Sequence, residues 1–569
     1  MIPNNLLVVA SLSIVTIQCI AEVAPLRFKQ ERDGDAIKLL TGAEFSTLGD
    51  PMFRLVLKDS SSLTDLDAIM AKLQPVAEMR RLFVVHERIV SDKPGASRRG
   101  VMAFTGTNNG EALNGNVMLS FTLQSNGDTP QDLEAWGWDN HRGRYNYYKL
   151  DEIGAPPGKL TWKFRGSSQD ADLLSAVERK GTCLQCHTTG APVMKELLFP
   201  WNNWHSRVGG AFKASYLDPA SPLPQKWPLA MTPLLRNLAG ADELEDDHLI
   251  PAFKRFNESR VNALLLRDDA TGDRLVVNKR LTLTSASRLL RSLFVPTEVN
   301  LISSRDTSGI HPFGTAADFD PTKRLRIPDD FFLHTTLIGG GNEITGLQLA
   351  DSKEFTARDL NHFATLTQAE NKALAEKFKL RVNGELGDAH FAWLVPTPSF
   401  IDTEMADRLL KLGAVTPHFV AAVVAVDLEE PLFSEKRARL LKYLPQQFAF
   451  TPLLVGADVM SIPRDQEKDL LTKLVIANIE ADNPMPGTPE HEFGALLKDA
   501  DAVVTLKSKV QAYVKRVKTA LSDPDTRAAE LERLFGILVE RRKAMLSNRL
   551  FAPLDETGGR LLLPMPAGE

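Results

Sequence analysis

The chain has 569 residues, of which 43% are hydrophobic and 24% charged, with a formal net charge of −5. That length accommodates roughly three or four domains of ~150 residues and is ample for buried cores. A small negative charge argues against a nucleic-acid binder, which carries a basic stripe, and it is compatible with docking to a basic patch on another protein.

Leu6 to Ile20 form an apolar run broken only by Ser, Thr and Gln. The run is short and slightly polar for a bilayer span, which needs about 20 apolar residues. It reads as a cleaved export signal, residues 1–21, with Cys19 and Ala21 at positions −3 and −1 of a cut before Glu22. No Lys or Arg precedes the run, so an uncleaved anchor and lipidation at Cys19 stay open. No other stretch is long and apolar enough to span a membrane. The expected mature chain is therefore periplasmic or secreted, without a membrane span.

Residues 22–217 are expected to form a β-rich domain. Val117, Leu119, Phe121 and Leu123 alternate with Met118, Ser120 and Thr122, the period of a half-buried strand. Asn114-Gly115 and Asn126-Gly127 carry tight-turn chemistry at its two ends. Leu160, Trp162 and Phe164 alternate again, and Asn140 to Arg144 read as a hairpin flanked by Trp136, Trp138, Tyr145, Tyr147 and Tyr148. A short helix with Leu173, Leu174 and Val177 on one face follows.

That helix leads into Cys183-Leu184-Gln185-Cys186-His187, the C-x-x-C-H pattern of haem attachment. Two thiols three residues apart on a helical turn face the same way and reach the two vinyl groups on one haem edge. The adjacent histidine then lies under the iron. With 3 Cys and 11 His in the chain, chance placement gives this pattern on the order of a few times in ten thousand chains. If Cys19 leaves with the signal, the two remaining cysteines share this one window, so cysteines are not spread as staples. Zinc would want about four ligands, and no further Cys or closely spaced His pair lies nearby. A redox dithiol would want a thioredoxin-like β-α-β frame, which the pattern lacks. Five of the seven Trp lie between 136 and 204, where they can wall a flat apolar macrocycle or simply fill a sheet core.

The segment from Gly181 to Pro192 resembles the c-type cytochromes, with Pro192 where many small members place a proline near the proximal histidine. The resemblance implies one covalent haem c, thioethers at Cys183 and Cys186, and His187 as proximal iron ligand. The small members are helical, whereas a sheet precedes the motif here. A sheet feeding into C-x-x-C-H is remotely similar to the β-rich cytochromes c′ and their hydroxylamine-oxidising relatives. Their motif lies near the chain end, while more than half of this chain follows it. For the sixth iron position, His205 and Met231 are the main alternatives, Met194 being close and Met485 distant in sequence. An iron left open would instead find Tyr145, Tyr147 or His141 on its distal side. Arg165 and Arg207 are candidates to pair with haem propionates, the commoner alternative being solvated side chains.

Pro219, Pro222, Pro224 and Pro228 mark a linker. Residues 218–395 read as a mixed α/β region. Gly339-Gly340-Gly341 lacks the Lys-Ser/Thr of a phosphate loop and reads as a turn, and Asp242 to Asp247 reads as a solvated face. Pro396 with Pro398, and Pro484, Pro486 and Pro489, are breakers. Residues 396–569 are expected to be helical. Val503, Leu506, Val510, Tyr513, Val514 and Val517 share one helix face, and Leu531, Leu534, Phe535, Leu538 and Met545 share another. Ser522 and Pro524 are the expected cap and first turn between them.

The expected fold is α+β: a β-rich N-terminal haem domain, a mixed middle region and an α-helical C-terminal domain. The expected function is an exported monohaem c-type cytochrome passing single electrons to a redox partner protein. The alternative is a haem-c oxidoreductase with an open iron acting on peroxide, a nitrogen oxide or an organic small molecule.

Overall fold

The computed structural model describes residues 28–30, 37–39, 46–58, 63, 66–74, 79–86, 98–108, 111–123, 131–151, 160–168, 183–185, 187, 190–192, 244–267, 281–295, 299–303, 325–327, 364–366, 373–374, 377, 380–382, 385–386, 394–398, 400–430, 434–453, 469–547 and 565–566. The described residues up to Ala252 fall in one compact unit and those from Phe253 onward in a second. The fold is α+β. The expected export segment 1–21, the expected helix over Leu173 to Val177 and the expected proline linker lie outside the described residues. Among the described residues, no helix is long and apolar enough to cross a membrane.

The first unit is built on six strands: β1 (Met79–His86), β2 (Arg98–Asn108), β3 (Glu111–Leu123), β4 (Gln131–Asp139), β5 (Arg144–Asp151) and β6 (Thr161–Ser167). Each pairs antiparallel with the next, so the sheet is a meander in chain order. The alternation read at Val117 to Leu123 and at Leu160 to Phe164 becomes β3 and β6. The hairpin read at Asn140 to Arg144 closes on the pair Asp139↔Arg144.

One sheet face is apolar. Leu82, Met102, Phe104, Val117, Leu119, Phe121, Ala135, Tyr148, Leu150, Trp162 and Phe164 join one core with Met52, Phe53 and Val56 and with Leu66, Ile69, Met70 and Leu73 of helix α1 (Leu66–Leu73). Each large side chain buried there contributes about 1.5–3 kcal/mol. Period-two alternation sends Trp136, Trp138, Tyr145 and Tyr147 to the opposite face. They pair across β4 and β5 as Trp136↔Tyr147 and Trp138↔Tyr145, and all four are buried.

Asn114-Gly115 is not a turn. The strand runs through it, and the two-residue step from Asn108 to its partner Glu111 is where β2 and β3 meet. Gly115 has φ +65, and its backbone binds side chains instead of the ladder. Its N–H donates to His248 Nδ1 at 3.0 Å and its carbonyl accepts from the Tyr145 hydroxyl at 3.1 Å. A Cβ there would lie 2.9 Å from the His248 carbonyl oxygen, so the glycine serves a close approach rather than a reversal.

In the second unit, helix α2 (Ala286–Phe294), α3 (Pro417–Ala425), α4 (Leu470–Asp482), α5 (Pro489–Lys498), α6 (Ala502–Ser522) and α7 (Pro524–Ser547) supply most of a single core. Every residue of α3 is buried, which is the pattern of a helix wrapped on all sides. Thr416 caps it by accepting from the Phe419 N–H at 3.1 Å, with Pro417 in the first turn. Leu506, Val510, Tyr513 and Val517 of α6 and Leu531 and Leu534 of α7 are buried as their spacing predicts. The cap between them is Asp523 rather than Ser522: its carbonyl accepts from Arg527 N–H at 2.9 Å and its side chain from Asp525 N–H at 3.0 Å. Ser522 is the last residue of α6, and Asp523 is the single residue between the two helices. Pro396 and Pro398 do not break a strand. They sit in Leu394–Pro398, opposite Leu301 and Val299 of Val299–Ser303. Two residues apart, they lack their N–H on the same edge, which a two-stranded ribbon tolerates.

The fully buried Arg437 holds the end of α3. Its guanidinium donates to the carbonyls of Val426 at 2.9 Å, Asp427 at 3.2 Å, Phe294 at 3.4 Å and Glu430. Arg437→Met leaves these carbonyls without their donor, and we expect a loss of about 3 kcal/mol or more in the second unit. Denaturant melts followed by helical circular dichroism check this.

Behind β4 and β5, Asp50 is wholly buried. Its carboxylate accepts from the Tyr148 hydroxyl at 2.6 Å, Asn146 Nδ2 at 2.7 Å and Phe53 N–H at 2.9 Å. Loss of solvation pushes its pKa up to about 6 from 3.8, against the pull of these three donors. The fold thus favours the neutral acid. Its stabilising contribution is complete below about pH 4 and is lost as pH rises through 6, a change of about 3 kcal/mol. Thermal melts from pH 3 to 8 should show that Asp50→Asn removes this part of the slope; identical slopes would mean that Asp50 does not titrate there.

Candidate functional site

The C-x-x-C-H segment packs on the aromatic face of the sheet. Cys183–Gln185 form a short helical turn, and the His187 N–H donates to the Cys183 carbonyl at 2.9 Å. This i→i+4 bond closes one turn of helix from Cys183 to His187. Cys183 is half-buried. Leu184 is fully buried over Gly166 of β6 and anchors the turn to the sheet. Cys186, the other thiol of the motif, lies outside the described residues, as do His205, Met231, Met194 and Arg207.

His187 is 5% exposed. Its ring meets Trp136 edge-on, with centroids 5.6 Å apart, and tilts against Tyr147 at 4.7 Å. After the histidine the chain turns back: the Gly190 N–H donates to the His187 carbonyl at 2.9 Å, and Gly190 adopts φ +77. That left-handed conformation suits glycine. The reversal brings the Ala191 carbonyl to 2.9 Å from His187 Nδ1. A carbonyl only accepts, so Nδ1 carries a proton, and in the neutral form of the ring the lone pair is on Nε2. Pro192, buried, follows at once.

His248 makes a useful contrast. It is buried at the other end of the aromatic face, edge-on to Phe83 at 5.5 Å. Its Nδ1 accepts from the Gly115 N–H at 3.0 Å, so the neutral ring carries its proton on Nε2. One histidine is thus poised to ligate through Nε2 and the other to donate from it. The acidic run before His248 is partly engaged, since Asp247 pairs with Arg81 at 3.3 Å on the exposed side.

Among the described residues, Cys183 and His187 are compatible with a tethered haem. A helical turn begins at Cys183, and His187 has the tautomer that a metal ligand needs. Trp136, 3% exposed, holds an indole N–H with no acceptor among the described residues. A buried donor left so costs about 1–3 kcal/mol, a cost that a bound group bearing acceptors removes. Among the described residues, no three His, Cys, Asp or Glu side chains cluster where they could hold a metal ion. A macrocycle that brings its own four nitrogens to the iron does not need such a cluster.

Of the side chains named for a distal role, His141 is exposed in the hairpin turn. Tyr145 gives its hydroxyl to the Gly115 carbonyl, and Tyr147 gives its own to the carbonyls of Gly190, at 2.7 Å, and Ala191, at 2.6 Å. Tyr147 therefore sits on the Nδ1 side of the imidazole. The partnership of Tyr147, Ala191 and His187 spans 44 positions and left no mark in the sequence beyond Gly190 following the motif. No family model, curated protein or solved structure matches the chain.

Gly190→Ala should strain the reversal by about 1–2 kcal/mol and draw the Ala191 carbonyl away from Nδ1. Nitrogen-15 NMR of the haem-free Cys183→Ser/Cys186→Ser protein should show the neutral His187 protonated at Nδ1, with the opposite tautomer enriched in the Gly190→Ala variant. A wild-type-like signal in both would sever the glycine from the tautomer.

Proposed function

We propose that this chain is an exported c-type cytochrome that binds one haem through thioethers at Cys183 and Cys186 and transfers single electrons, with His187 Nε2 as proximal iron ligand. The observation that carries the reading is the buried 2.9 Å contact between His187 Nδ1 and the Ala191 carbonyl. Metal-bound histidines almost always donate their second N–H in this way, which fixes the tautomer and ring rotation and makes the ligand more basic. When bound, haem c supplies a one-electron iron couple.

The chain's own residues do the holding. The turn at Cys183 tethers, Leu184 pins the turn to β6, and the Tyr147 hydroxyl fixes the Gly190–Ala191 loop. The rings of Trp136 and Tyr147 keep water from the imidazole. A dry surround of this kind suits electron transfer, because little solvent has to rearrange when the charge changes. His205 or Met231 would be the second protein ligand in this reading, and the partner would be a redox protein outside the cytoplasm, where residues 1–21 would direct the chain.

The test is a denaturing gel of protein made alongside a haem-c maturation system. Wild type should show haem-dependent peroxidase stain, Cys186→Ser a weakened tether, and Cys183→Ser/Cys186→Ser none. An unstained wild-type band refutes the proposal. On stained protein, a dithionite-reduced spectrum unmoved by carbon monoxide supports electron transfer. A spectrum that shifts with the gas points instead to an open iron and an oxidoreductase acting on a small molecule.

A further inference from the structure

Two donors meet at one acceptor beneath the imidazole. The Ala191 carbonyl receives the His187 Nδ1–H at 2.9 Å and the Tyr147 hydroxyl at 2.6 Å, and that hydroxyl also lies 2.7 Å from the Gly190 carbonyl. A carbonyl oxygen has two lone pairs, so both donors fit. Each withdraws electron density that the other would use. A weaker acceptor pulls less on Nδ1–H and leaves Nε2 a poorer electron donor.

Resting on the haem reading above, we infer that Tyr147 is a positioning residue that shares the Ala191 carbonyl with His187 and thereby holds the reduction potential of the bound iron up. Axial-ligand basicity is one of the protein's levers on haem potential, since a more basic ligand favours the ferric state. With the phenol gone, Ala191 turns wholly to the imidazole and the ferric form gains.

Tyr145 supplies an internal control. It lies on the same strand and the same face, equally buried, but its hydroxyl goes to the Gly115 carbonyl at 3.1 Å, away from the loop that follows the motif. Either phenylalanine substitution keeps the ring and removes one hydroxyl, which at Tyr145 donates to the Gly115 carbonyl and at Tyr147 is shared between the Gly190 and Ala191 carbonyls. Only the loss at Tyr147 changes the acceptor of Nδ1.

The experiment is spectroelectrochemical titration of the full-length, haem-loaded protein. Tyr147→Phe should have a lower midpoint potential than wild type, and Tyr145→Phe the wild-type value. A site-specific 3-fluorotyrosine at position 147 keeps the ring, strengthens the O–H donor and should raise the potential; it also serves if Tyr147→Phe does not fold. If wild type carries haem and Tyr147→Phe is unchanged or higher, or if both phenylalanine variants shift alike, this inference falls alone. If wild type carries no covalent haem, it falls together with the proposed function.

Discussion

The hydrogen bond from His187 Nδ1 to the Ala191 carbonyl, 2.9 Å long and buried, depends on most of the first unit. It needs the reversal at Gly190, the helical turn that starts at Cys183, and the Tyr147 hydroxyl bridging to the same loop. It also needs the sheet, because the turn has no core of its own and borrows one from β4, β5 and β6 through Leu184, Trp136 and Tyr147. A short segment of this kind is stable only as part of such a platform.

The sheet separates two tasks. One face is filled by aliphatic and aromatic side chains packed on α1 and the segment around Phe53, and it supplies stability. The other presents four buried aromatics in two cross-strand pairs and receives the motif. Strand β5 serves both faces alternately. Asn146 and Tyr148 bond to the buried carboxylate of Asp50, while Tyr145 and Tyr147 bond to carbonyls on the motif side. Asp50 thus fixes the residues on either side of Tyr147. Its burial costs stability near neutral pH, a cost consistent with precision of placement outweighing stability at that point.

Much of this was legible in the sequence where one physical signal dominates. Period-two alternation marked β3 and β6, and the 3.6-residue stripe marked α6 and α7, because one-sided burial writes itself directly into spacing. Asn114-Gly115 was misread as a turn because the dipeptide reports only that a residue takes positive φ; here the cause is the close approach of His248. The edge ribbon holding Pro396 and Pro398 was misread for a similar reason: the missing N–H groups matter only on a hydrogen-bonded edge. At the site, local spacing marked Cys183, Cys186 and His187. Tyr147 was marked only for a distal role, and Ala191 and His248 were silent, because contacts between distant residues depend on strand register and chain reversal, which leave no periodic trace.

The most direct measurement is a crystal structure of the protein purified after haem-c maturation. The expected result is iron bonded to His187 Nε2, with Nδ1 still within hydrogen-bond reach of the Ala191 carbonyl and the Tyr147 hydroxyl on the same oxygen. Iron held by a different residue, with His187 still buried against Trp136, would contradict the role assigned to this histidine.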